Sequence, residues 1–115
     1  MIELYGIPNC DTVKKARKWL EAEGIEYVFH DYKKEGADVV QVERWIGAEG
    51  LDIILNRRGT TWRKLPDEDK ARADDAARAA VLLVEHPSMI KRPVVEYPGG
   101  LLVGFDPARW EAVLA

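Results

Sequence analysis

Two short apolar runs, Ile2-Glu3-Leu4-Tyr5 and Ile25 to Tyr32, are separated by one stretch whose apolar residues Val13, Ala16, Trp19 and Leu20 recur at helical spacing. Gly6 and Pro8 close the first run, Asp11 can cap the helix, and Gly24 stops it. The second run is rich in aromatic and β-branched residues, as strands are. Two strands joined through a helix pair in parallel, and chain chirality makes the crossover right-handed. Residues 2–32 are therefore expected to form a strand-helix-strand unit.

The other end of the chain has a different pattern. Val94 to Tyr97 and Leu101 to Val103 flank Pro98-Gly99-Gly100, which reads as a hairpin. Asp106-Pro107 then offers an N-cap followed by proline at the first helical position, opening a terminal helix that buries Trp110 and Leu114 or their neighbours. Between the two ends the pattern is helical. Lys33 to Gly36 reads as a polar loop, and Asp38 caps a helix with Val39, Val42, Trp45 and Ile46 on one face and Gly50 as its stop. Leu51 to Leu55 fits a short helix better than a buried strand. Thr60 to Leu65 carries the chain outward, and Pro66 to Asp75 is charged and solvated. Ala76 to Glu85 is a helix with Ala80, Leu83 and Val84 at core spacing, ended by Pro87. The expected class is α/β: a four-stranded mixed sheet built strand-helix-strand and strand-strand-helix, with a helical insertion at about 38–90. At 115 residues the chain fits one domain, 1–115, that can bury a core without disulfides.

Composition narrows the function. With 17 basic and 20 acidic residues interspersed, net charge −3, the chain lacks the footprint of a nucleic-acid binder. No apolar run approaches the ~18 residues of a membrane span, and no basic, then apolar leader opens the chain. A cytoplasmic monomer is the expectation. His30, His86 and Cys10 have no recognised ligand spacing, so no metal is expected. His86 reads as a helix-end residue, and His30 as a strand residue facing solvent.

Cys10 is the only cysteine, placed between the first strand and its helix. A helix N-terminus favours the thiolate, the nucleophilic form, and Lys14 and Lys15 add cations one turn on. Asp11 opposes them. A free cysteine in such a place is either a reactive thiol or a small buried hydrophobe, and position alone leaves both readings open. Of the four tryptophans, Trp19, Trp45 and Trp110 suit packing, whereas Trp62 suits either the core or a roof over the cysteine.

Four motifs in order, Gly-Ile-Pro-Asn-Cys at 6–10, Lys-Lys-Ala-Arg at 14–17, Arg-Gly-Thr-Thr-Trp-Arg-Lys-Leu at 58–65 and Met-Ile-Lys-Arg-Pro-Val at 89–94, resemble the arsenate reductase (ArsC)/Spx family, most closely its small YffB-like branch. The resemblance covers essentially the whole chain. It implies a thioredoxin-like fold, a cis Arg92-Pro93 bond beside the cysteine, Cys10 as nucleophile, and Arg58 and Arg92 as the cations around its partner. Guanidinium groups suit that role because they stay charged and present a planar fork to carboxylates and oxyanions. The family pattern is not complete. Arsenate reductases carry a histidine where this chain has Gly6, an arginine where it has Lys14, and a further arginine within the stretch corresponding to Leu101 to Phe105. Spx regulators typically carry a second cysteine where this chain has Val13.

The expected activity is thiol-disulfide reduction with glutathione as co-substrate, since a single thiol leaves a mixed disulfide that an outside thiol must resolve. Lys14, Arg58 and Arg92 are the candidate glutathione-binding cations, and the backbone beside Pro93 the candidate partner of its peptide groups. Arsenate reduction with glutathione and glutaredoxin is the enzymatic alternative, and a non-catalytic Spx-like role on a transcription complex the other.

Overall fold

A computed structural model describes residues 2–115. It divides into two units, one running to Tyr32 and resuming at Arg92, the other Lys33–Lys91. In the first, Ile2–Gly6 forms β1, with burial alternating as the period of a strand dictates. Asp11–Ala22 forms α1, burying Val13, Ala16 and Leu20, the positions that the helical spacing picks out. Gly24 follows in the left-handed region at φ 69°, where glycine carries no Cβ penalty. Tyr27–Asp31 forms β2, parallel to β1 with Ile2 opposite Tyr27 and Gly6 opposite Asp31.

The strand is shorter than the apolar run suggests. Tyr32–Glu35 is one helical turn, α2, where a strand end and then a loop were expected. Tyr32, at the start of that turn, is buried.

β3 (Val94–Tyr97) pairs antiparallel with both β1 and β4 (Gly100–Val103), giving a four-stranded mixed sheet in the order β2-β1-β3-β4. The terminal helix, Pro107–Leu114, is capped by Asp106, whose carboxylate accepts from the Ala108 N–H at 3.2 Å. It is named α8, after the helices of the second unit. Leu4, Val13, Ala16, Leu20, Val95, Leu102 and Trp110 form one apolar core between the sheet and these helices. Each fully buried leucine there contributes about 1.5–3 kcal/mol. Trp19 and Phe105 pack edge-on against Trp110, at centroid distances of 5.9 and 4.9 Å. The Trp110 indole N–H donates to the Gly104 carbonyl at 3.1 Å, and the Gly104 N–H donates to the Pro93 carbonyl at 2.8 Å. Thus α8 supports the segment that leads into β3.

The second unit is helical. α3 (Val39–Glu49) is capped by Asp38 through the Gln41 N–H, α4 is Leu51–Ile54, α5 Thr60–Lys64, α6 Asp67–Lys70, and α7 Ala76–Glu85. The segment expected to run outward is thus the short helix α5. The charged stretch is likewise partly helical, with a 3-10 turn at Ala71–Asp74 that buries Ala73. α3 and α7 pack together, α3 burying Val42, Trp45 and Ile46 and α7 burying Ala79, Ala80, Leu82 and Leu83. Val84, expected in the core, is only half-buried, because the buried face of α7 is centred on Ala79 and Leu82–Leu83. Leu55 bridges to Ile90, flanked by Asn56 N–H to Met89 carbonyl at 2.8 Å and Lys91 N–H to Ile54 carbonyl at 2.7 Å. No helix among the described residues is long and apolar enough to cross a membrane.

Candidate functional site

The sheet register gathers three segments at one end of the strands. β1 and β2 run parallel and end together at Gly6 and Asp31, while antiparallel β3 begins there, with Val94 opposite Tyr5. Cys10 follows β1 by a short loop, Tyr32 follows β2 directly, and Arg92 lies two residues before β3.

The loop ends with Cys10 as the N-cap of α1, in extended geometry at φ −83° and ψ 126°. Asp11, expected as a cap, is instead the first residue of the helix. Gly6 allows the sharp approach of β1 to α1: a Cβ there would lie 2.8 Å from Val13 Cγ2, inside van der Waals contact. Val13 is fully buried and β-branched, so it has little freedom to yield.

The Cys10 thiol is partly exposed, and its pKa lies below the ordinary value. Burial is the largest single influence and pushes it up. Acting together, the Val13 N–H, the Arg92 guanidinium within hydrogen-bonding reach and the Thr12 N–H outweigh burial. The two backbone groups face the sulfur as helix N-terminal dipoles rather than as a formed cap hydrogen bond. The strongest influences thus include neither Lys14 nor Asp11.

Of the residues singled out in the sequence, Cys10 and Arg92 come together within the first unit. The Arg92-Pro93 bond is cis, as the resemblance implies, and Pro93 is buried. Lys14 is exposed on α1 one turn beyond the cysteine, its N–H donating to the Cys10 carbonyl at 2.9 Å. Arg58 belongs to the second unit, exposed in a turn where its N–H donates to Asn56 Oδ1 at 3.1 Å. Trp62, in the same unit, has two cations near its ring, Arg57 at 5.4 Å and Lys70 at 5.8 Å from the centroid. Thr61 shares a hydrogen bond with Ser88 at 3.0 Å, tying α5 to the turn after α7. His30, expected to face solvent, pairs with Glu3 at 3.0 Å and stacks on Tyr5 at 4.6 Å. His86 is the C-cap of α7, a helix-end residue as expected.

The sequence reading passed over Tyr32. Its phenol lies within hydrogen-bonding reach of Arg92, and burial raises its pKa well above the ordinary range, against the opposing pull of the guanidinium. A tyrosine ending an apolar run reads as a strand residue, so its sequence context holds no signal of this contact.

The family model described as the ArsC family matches residues 5–113. The chain belongs to the ArsC family. Among solved structures, a protein described as YffB is 50% identical over the whole of both chains and superposes with a TM-score of 0.94. An arsenate reductase of Rhizobium meliloti is 31% identical, matching 86% of this chain and 71% of its own length. The global transcriptional regulator Spx of Bacillus subtilis is 28% identical, over 92% of this chain and 81% of its own. The sheet and helices of this ArsC-family chain are therefore those of a thioredoxin-like fold.

Proposed function

We propose that this ArsC-family chain is a glutathione-dependent thiol-disulfide reductase acting through Cys10. The observation that carries the reading is a lone thiol whose pKa is depressed beside an arginine. A low-pKa thiolate attacks disulfides at neutral pH, and the guanidinium offers a carboxylate-bearing partner a charge-assisted contact.

The Cys10 thiolate attacks the glutathione sulfur of a mixed disulfide, forming Cys10–S–S–glutathione and expelling the substrate as thiolate. A second glutathione thiolate then attacks the glutathione sulfur of that adduct, releasing oxidised glutathione and restoring the Cys10 thiolate. One mixed disulfide and one glutathione thiolate thus give the substrate thiolate and oxidised glutathione, with no second protein cysteine required. In this reading Arg92 and Lys14 pair with glutathione carboxylates, and backbone beside Pro93 with its peptide groups. Arg58 keeps the anion-binding role that the family resemblance implies.

The names of the two relatives mark the alternatives, an oxyanion reductase and a transcriptional regulator. Intact mass after incubation with oxidised glutathione is the first test, followed by steady-state turnover of a glutathione mixed disulfide, both against Cys10→Ser. One glutathione adduct on the native chain, none on the variant, and Cys10-dependent turnover are expected. No adduct would overturn the reading. Adduct without turnover would favour a sensing or docking role.

A further inference from the structure

We propose that Tyr32 is a positioning residue for the thiol site, its buried phenol holding the Arg92 guanidinium in place against the Cys10 sulfur. The inference rests on Cys10 being the working nucleophile and is independent of which disulfide it serves. Three observations converge. The register places the end of β2 beside the end of β1, and the start of β3 on the other side of β1, so Tyr32, Cys10 and Arg92 meet at one end of the strands. Tyr32 is 2% exposed, so its ring is fixed by packing. The same guanidinium reaches both the phenol and the sulfur.

Arginine carries five N–H donors in a planar fork, so one part of the group can donate to the phenolic oxygen while another faces the sulfur. A long side chain at a partly open site otherwise samples many rotamers, and an anchor at its head reduces that freedom before substrate arrives. The charged and titratable groups that act on the Tyr32 phenol are Arg92, Cys10 and Asp31. Burial keeps the phenol neutral among them. A neutral acceptor anchors Arg92 without cancelling its charge, which stays available to the thiolate and to an incoming anion.

The test is the pH dependence of Cys10 alkylation by iodoacetamide in the native chain, Tyr32→Phe, Arg92→Ala and the double variant, with thermal unfolding followed in parallel. Tyr32→Phe should move the midpoint toward that of an ordinary cysteine, slowing alkylation at neutral pH about threefold. In the Arg92→Ala background the same change should move nothing further, because the phenol acts through the guanidinium. A depressed native midpoint left unmoved by Tyr32→Phe would overturn this proposal alone, as would equal shifts in both backgrounds. A native midpoint at the ordinary value would overturn the activated-thiol reading and this proposal together. If Tyr32→Phe does not fold, meta-fluorotyrosine incorporation, which weakens the phenol oxygen as an acceptor, provides the same comparison. It should move the midpoint in the native chain and not in Arg92→Ala, and no movement in either would overturn the proposal.

Discussion

At the scale of single residues, the chemistry turns on the balance at Cys10 between burial, which raises its pKa, and the Arg92 guanidinium with the Val13 and Thr12 N–H groups, which lower it. Arg92→Ala should slow reaction with glutathione disulfide more than with a small uncharged disulfide, because only the first presents carboxylates. A charge-assisted bond lost from a partly desolvated site costs roughly ten- to a hundredfold in rate. Stopped-flow rates with the two disulfides would check this, and equal slowing would assign Arg92 to thiolate stabilisation alone. Stability should carry the same signature. Between the depressed midpoint of the folded thiol and its ordinary value of 9.0, the unfolded chain holds the proton that the folded chain has released, so unfolding free energy rises with pH. The gain is complete above 9.0 and lost as pH falls through the folded midpoint. Tyr32 acts in the opposite sense: above its ordinary value of 10.0 the unfolded phenol ionises while the buried one stays neutral, and stability falls. Urea titrations across this range should show the rise in the native chain and its absence in Cys10→Ser.

At the scale of elements, β1 and α1 meet more closely than a side chain at position 6 would allow. A Cβ on Gly6 would press on Val13 Cγ2, and Val13 is also the residue whose N–H faces the thiol. Gly6→Ala should therefore cost about 1–3 kcal/mol, the usual cost of overpacking a tight core. It should also shift the alkylation midpoint of Cys10, as the first turn of α1 is displaced. Chemical denaturation and the alkylation profile measure the two effects, and an unchanged stability would show that Val13 yields freely.

At the scale of the molecule, the proposed activity depends on which cations surround the thiol. An oxyanion must be held in line by several fixed donors, whereas a disulfide is attacked at a neutral sulfur and requires fewer. With Gly6, Lys14 and an arginine-free Leu101 to Phe105, this chain departs at three places from the pattern that the family resemblance implies for arsenate reductases. Arsenate reduction with glutathione and glutaredoxin supplied should therefore be weak or undetectable while disulfide reduction proceeds. Both rates on one preparation, with the Cys10→Ser background subtracted, settle the order. Arsenate turnover exceeding disulfide turnover would reverse it.

What could be read from the residues was local. The α1 stripe, the caps at Asp38 and Asp106, the hairpin around Pro98 to Gly100 and the place of Cys10 at a helix start depend on neighbours a few positions apart, where periodicity and capping chemistry leave a direct trace. The parallel β1–β2 pair followed from chain connectivity. Tertiary structure decided the rest. Which residue caps α1 depended on the path of the loop from β1, and it made Cys10 rather than Asp11 the cap. The buried face of α7 was set by its packing on α3, which brought in Ala79 and Leu82 ahead of Val84. His30 found its partners only because parallel register put Tyr5 opposite it and Glu3 two residues away on the neighbouring strand. Tyr32 became part of the site for the same reason: its contact with Arg92 spans about half of the chain, and only the strand order β2-β1-β3 brings the two together.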